Sequence, residues 1–269
     1  MPFDLLSAHG IAALPNSVAA ILTIGVPVLL ALGFGHLMFA LFTPLEFTAN
    51  AFVGSVKYSF VVEVYAVVAA LTLVGSWEIY QTARDTLQKE VGAVYMLALT
   101  VDAYNLPQQQ DTRTEMRAAI RGYAASVVSD DWPAMQAGAP VALGSERAFQ
   151  RLARAFLDAD PATASQQAVA QNAVQWVANV SDARIARLSV MSRTLSGLIW
   201  FLVLTVSVAV IAFQWFFGGG SQGMHYAMGA VIAIIVGAVL LVALKLAFPF
   251  VGDPALLSPR AYYELMQVS

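Results

Sequence analysis

The chain has no cysteine and only three histidines, His9, His36 and His225, among its 269 residues. Without cysteine there are no disulfides, no thiol nucleophile and no sulfur-ligated metal. The histidines stand far apart and no His-Glu-x-x-His spacing occurs, so no metal centre is expected. A phosphate-cradling loop is also missing, because Gly218-Gly219-Gly220 lies between two apolar runs with no lysine to follow it. The adjacent acids Asp130 and Asp131 precede Trp132-Pro133, a setting for turns and caps rather than for acid–base work. No catalytic residue and no cofactor is assigned, and the chain reads as a non-enzyme. Charge is scarce as well: 12% of residues are charged, against about 25% in soluble domains.

What fills the sequence is apolar. Hydrophobic residues make up 59% of it, and they gather into four spans, Ser17–Phe42, Tyr58–Trp77, Leu195–Phe217 and Met224–Phe248. Each meets the roughly 20 residues needed to cross a hydrocarbon core. None alternates like a barrel strand, so all four should be helices whose backbones satisfy their own hydrogen bonds in lipid. The fold class expected is an all-α integral membrane protein with four transmembrane helices, two plus two, around a helical cytoplasmic insert. Residues 1–78 hold the N-terminal segment and first helix pair, 79–194 the insert, 195–248 the second pair and 249–269 a tail.

Placement of charge sets the orientation. Eleven of the 14 Lys and Arg residues and 12 of the 17 acids fall between positions 76 and 195. That balance is near neutral and excludes a nucleic-acid surface. Arg84 and Lys89 follow the second span, and Arg187 and Arg193 precede the third, so the positive-inside rule puts the insert and both termini in the cytoplasm of a cell with an inner membrane. Lys57 is the exception. The first 16 residues lack Lys and Arg and include Asp4, unlike the start of a signal peptide.

The insert reads as helix throughout. Tyr80, Ala83, Leu87, Val91, Val94, Ala98 and Val101 recur every three or four residues and extend the second span into one helix over Tyr58–Tyr104, ended by Asn105-Leu106-Pro107. A second helix fits Thr114–Val128 and stops at Ser129 to Pro133; Gln108, Gln109 and Gln110 read as a polar loop before it. A third fits Ser145–Leu157 with Ser145 as cap. The fourth is expected to begin at Asp160-Pro161 and to run through Val174, Val177, Val180 and Ile185 into the third span. In the tail, Ser258-Pro259 could open a short helix bearing Tyr262, Tyr263 and Leu265.

Glu63 is the first functional candidate, since an ionisable group within a span faces protein or water and often marks an ion route. Glu63, Ala66, Ala70, Leu73 and Trp77 share one helical face; a neighbouring face carries Tyr65, Ala69, Thr72 and Ser76. Either could line a passage if several copies surrounded an axis. The alternative is close packing through small residues, with Glu63 snorkelling outward. Pro27, with Gly25, Gly33 and Gly35, should bend the first span or admit a close neighbour. His36 is either proton-sensitive or a buried, hydrogen-bonded residue, and Lys245 is expected to snorkel to headgroups.

Four stretches carry a resemblance: Val64 to Val67 with Trp77-Glu78-Ile79-Tyr80, Ala83 and Glu90; Ala119 to Tyr123 with Asp131 to Met135; Asp182 to Arg187; and Pro249 to Asp253 with Ser258-Pro259. In order and spacing they resemble a bacterial family of membrane proteins described as bestrophin-like. The resemblance singles out Tyr65, Glu78, Tyr80, Glu90, Tyr123, Trp132, Arg184, Arg187, Pro249, Phe250 and Gly252 as motif positions. It implies similarity to bestrophin anion channels, pentamers whose second helix lines the pore. The function expected is therefore an oligomeric passive ion channel, with the lipid bilayer, further copies of the chain and small inorganic ions as its partners. The alternative is a non-conducting membrane scaffold or sensor whose cytoplasmic bundle binds another protein.

Overall fold

The computed structural model of the chain describes residues 8–137, 143–191, 195–218, 221–252 and 255–268. In order the helices are α1 (Ala8–Ala13), α2 (Asn16–Ala20), α3 (Val26–Leu41), α4 (Pro44–Ala49), α5 (Ala51–Val101) and α6 (Gln110–Ser126). Then come α7 (Trp132–Gln136), α8 (Leu143–Leu157), α9 (Ala164–Val190), α10 (Gly197–Phe213), α11 (Gln222–Ala247) and α12 (Arg260–Val268). No strand occurs among the described residues. Contacts divide the chain into two compact units, Met1–Ile79 with Thr194–Phe248 and Tyr80–Arg193 with Pro249–Ser269. Asp4, Arg193, Gly219-Gly220 and Asp253, which entered the sequence reading, lie outside the described residues.

Four helical stretches of the expected number and order are long and apolar enough to cross a membrane: Asn16–Leu41, Ala51–Val101, Gly197–Phe216 and Gln222–Ala247. The first is α2 and α3 joined by a π turn, Ile21–Gly25. There the Val26 N–H reaches back five residues to the Ile21 carbonyl. Pro27 explains the turn: it has no N–H to offer the preceding turn, and its ring needs the extra room. Between the first two spans, the segment 43–57 holds α4 and the start of α5. Thr43 donates its N–H and hydroxyl to Glu46 Oε2 at 2.7 and 2.8 Å, a capping box that starts α4.

Glycines set the close approaches in this first unit. A side chain at Gly237 would overlap the Thr23 carbonyl oxygen and stand 2.8 Å from Ile24 Cα, so α11 meets the π turn backbone to backbone. The Trp215 ring, wholly buried, occupies a slot that a Cβ at Gly35 or Gly229 would fill. Met38 and Phe47 close it, and His225 stacks edge-on at 5.0 Å. Gly33 has open space around it, so of the first span's glycines Gly35 is the one that admits a neighbour. His36 is exposed rather than buried. Lys245 does not snorkel: its ammonium donates to the Ala12 and Leu14 carbonyls at 3.0 and 3.3 Å, closing the C-terminal end of α1.

The second unit departs from expectation mainly at helix boundaries and faces. α6 does not stop before Pro133 but continues through a second π turn, Val127–Asp131, into α7, with the Trp132 N–H reaching Val127. Ser145 is not a cap; it is buried inside α8. α9 begins at Ala164, three residues after Pro161, because the Thr163 hydroxyl accepts from Gln166 N at 3.2 Å. Nor does α9 run into the third span: it ends at Val190, Leu195 and Ser196 are non-helical, and Ser196 caps α10 anew. Val174 and Ile185 face outward, while Ala173, Val177, Val180 and Arg187 face the core. Gln109, expected in a polar loop, is buried and exchanges two amide hydrogen bonds with Gln166. In α12, Tyr262 and Leu265 are buried within this unit and Tyr263 is exposed.

Gly237→Val should lower the melting temperature of the detergent-solubilised protein, at a cost on the order of 1–3 kcal/mol for the forced overlap. Gly33→Ala, in open space, should leave it unchanged or raise it slightly, by less than about 1 kcal/mol of helix propensity.

Candidate functional site

Along the part of α5 that belongs to the first unit, the two candidate faces separate cleanly. Tyr65, Ala69, Thr72 and Ser76 are buried. Tyr65 and Ala69 pack with Val210 of α10 and Val236 of α11, flanked by Tyr58, Val61 and Val206. That stripe is used up in holding the helix to its neighbours. On the other face Glu63, Ala66, Ala70 and Trp77 are exposed and Leu73 is half-buried. Glu63 stands 12 residues into the helix, roughly 18 Å from its start. Among the described residues its carboxylate has no ion pair. Glu78, also exposed, follows the same helix.

The motif positions of the second unit converge on a different centre. Glu90 (α5), Asp131 (the π turn) and Arg187 (α9) each have 0% exposure. Arg187 Nε donates to Glu90 Oε2 at 2.7 Å and its Nη2 reaches Glu90 Oε1 at 3.3 Å. The same Nη2 donates to Asp131 Oδ2 at 2.7 Å, and Nη1 points at Met135 Sδ at 2.9 Å. The Tyr123 hydroxyl donates to Glu90 Oε1 at 2.7 Å. The Tyr262 hydroxyl lies beside Glu90. Burial, and then the Glu90 charge, push both phenols well above the ordinary tyrosine range, so they stay neutral donors. Burial would loosen the Arg187 proton, but the Glu90 carboxylate outweighs it and holds the guanidinium above its ordinary value.

Other motif positions support this centre. Arg184, one turn before Arg187, donates to Glu146 Oε2 at 2.7 Å and to the Ser145 hydroxyl at 3.0 Å, tying α9 to α8. Trp132 meets Phe250 edge-on at 5.7 Å, which fastens the tail to α7. Pro249, Phe250 and Gly252 are buried in a turn closed by Leu257 N to the Pro249 carbonyl at 3.1 Å. Gly252 has φ 92°, a conformation that favours glycine. Tyr80 is half-buried. Asp131 is thus no cap or turn residue but one side of a buried ion pair. Its role could have been read from Arg187 and Glu90, which stand at core positions of their helices: Ala83, Leu87, Glu90, Val94, Leu97 and Val101 form one buried stripe.

No group of three or more His, Cys, Asp or Glu side chains able to hold a metal occurs among the described residues. The described residues offer an exposed face with Glu63 on a membrane helix and a sealed polar centre in the second unit.

Comparison with known proteins places this architecture. No curated protein matches the sequence. Solved structures match the fold. A bacterial bestrophin homologue from Klebsiella pneumoniae, in a single-substitution variant, superposes with TM-score 0.73 at 11% identity, over 91% of this chain and 97% of that one. A second variant of that homologue gives 0.67 at 11% identity, over 92% and 96%. A structure described as a membrane protein, likewise a single-substitution variant, gives 0.72 at 10% identity, over 91% and 96%. At such identities the likeness is one of fold. Residues 23–258 match the Bestrophin-like domain, which takes in the packed and exposed faces of α5 and the sealed Glu90–Arg187–Asp131 centre, and by that match the chain is a member of the bestrophin-like family of membrane proteins.

Proposed function

We propose that the protein is a passive ion channel, assembled from several copies of the chain in the bacterial inner membrane, with the exposed face of α5 lining the conduction path. One observation carries the reading. α5 packs against α10 and α11 through Tyr65 and Ala69, buries Thr72 and Ser76 along the same stripe, and leaves uncovered the face that bears Glu63. An ionised carboxylate facing lipid is costly, so that face requires protein or water against it. Small residues at Ala66 and Ala70 leave room for water and ions between copies. Bestrophin folds with the same helix order support the assembly, and Arg84, Lys89 and Arg187 support a cytoplasmic second unit with both termini on that side.

Glu63 sets the expected selectivity. A ring of carboxylates repels anions and attracts cations, so the native channel should be less anion-selective than a path lined by neutral groups alone. Purified protein in planar bilayers under a salt gradient tests this through the reversal potential. Conductance with a defined reversal potential is expected, and no conductance over a range of pH and calcium concentrations would reject the channel.

In the same bilayers Glu63→Gln should move the reversal potential toward the anion limit; an unchanged potential would take Glu63 out of the path. Two neighbouring substitutions separate lining from packing. Ala70→Leu, on the exposed face, should reduce unitary conductance with little change in melting temperature, whereas Ala69→Leu, on the packed face, should destabilise the fold by about 1–3 kcal/mol.

A further inference from the structure

One helix of the second unit carries a row of cations without counter-charges. Arg147, Arg151 and Arg154 recur every three or four residues of α8, so they stand on one face, and all three are exposed. Like charges at that spacing repel one another along a helix. Other arginines of the unit are paired: Arg117 with Asp102, Arg184 with Glu146 and Arg260 with Glu264. Among the described residues none of the three on α8 has an ion pair, and neither has Glu115 on α6.

Two of these arginines, Arg151 and Arg154, border a cavity of about 350 Å³ between α6 and α8. Small-molecule sites begin at about that size. Ala148 lines it from α8, and Glu115, Ala118, Ala119 and Gly122 line it from α6. Glycine inside a helix is unfavourable and needs a reason. At Gly122 neither of the usual reasons holds: its φ is not positive, and a Cβ there would meet no atom within 4 Å. What the missing side chain does is keep the cavity hollow. A repelling pair of arginines and an interior glycine, each unfavourable for the fold by itself, thus meet at one cavity.

The chemistry of the lining selects a ligand. Residues three apart on a helix have Cβ atoms about 5–6 Å from each other, so both guanidinium groups can reach one anionic group. Two positive charges match a phosphate monoester, which carries about −1.5 to −2 at neutral pH, better than they match a single carboxylate, and the guanidinium fork fits phosphate oxygens. Glu115 would repel a bare anion but accepts hydrogen bonds from hydroxyl groups. We infer that this cavity binds a small phosphate monoester that carries hydroxyl groups. Arg151 and Arg154 hold the phosphate, the body of the ligand lies over Gly122 and the alanines, and Glu115 accepts from a hydroxyl. The site lies wholly within the second unit, and it stands whether or not the protein conducts ions.

Isothermal titration calorimetry on the full chain in detergent tests this, with ribose-5-phosphate, glucose-6-phosphate and adenosine monophosphate as probes. Saturable binding of at least one is expected, with inorganic phosphate and the matching unphosphorylated compound binding at least about tenfold more weakly. Arg151→Ala and Arg154→Ala should each weaken that binding by about tenfold, and Arg260→Ala on α12 should leave it unchanged. Gly122→Leu distinguishes a site from a packing gap: its melting temperature should be unchanged or raised, and its binding lost. No binding of any of the three probes at millimolar concentration would overturn the inference, as would inorganic phosphate binding as tightly as the esters, or binding that survives in the Arg151→Ala/Arg154→Ala double variant. Should Gly122→Leu fail to fold, the variants of the two exposed arginines decide.

Discussion

Arg187 has no contact with solvent, and its guanidinium joins α9 to α5 through Glu90 and to the π turn after α6 through Asp131. A charge in that position cannot be left half-paired. Removing one partner of a buried pair typically costs 3–5 kcal/mol, because the other is stranded without water. The geometry of the unit is therefore bound up with three side chains meeting at one point. Apolar stripes on α5, α6 and α9 would tolerate small slips along their axes, since one methyl group replaces another. A planar donor that must meet two carboxylates does not. The polar centre thus supplies the register that greasy packing alone leaves loose.

In the first unit the same problem of register is solved without charge. Trp215 fits only because Gly35 and Gly229 lack side chains, and α11 crosses the π turn only because Gly237 does. Lipid provides no hydrophobic force between helices, so shape at close range has to do the specifying. With α10 and α11 fixed in this way, the stripe Tyr65 to Ser76 has a defined surface to meet, and the orientation of Glu63 follows from the packing on the other side of its helix.

Much of this was legible in the sequence. Four spans, the long second helix and the core face of α6 (Met116, Ile120, Tyr123 and Ala124), continued by Val127 in the π turn, could be read from length and periodicity, because burial in these segments follows the helical repeat. Boundaries were harder. Proline at positions 27 and 133 suggested a bend and a stop, yet a π turn carries the helix through both sites, and nothing local distinguishes that outcome from a break. The resemblance singles out Glu90, Tyr123 and Arg187, but their burial is not legible from periodicity, for a different reason. A pattern search that treats Glu90, Arg184 and Arg187 as polar assigns them to the outer face, so the chosen stripes on α5 and α9 rotate toward Val91, Val174 and Ile185. The apolar residues spaced around them, such as Ala83, Leu87 and Val94 on α5, and their partners distant in sequence together mark those charged positions as interior.

Both π turns share one construction: five residues ending two positions before a proline, at Ile21–Gly25 before Pro27 and Val127–Asp131 before Pro133. Such a turn contains one residue more than the α-helical turn it replaces. Each is in effect an insertion absorbed without a loop, and each residue of a helix advances its neighbours by about 100°. A relative that lacks the proline can dispense with the extra residue, and should be one position shorter there while keeping every downstream side chain on its face. In this chain the extra residue therefore sits inside a helix at each of these two points rather than in a connecting segment.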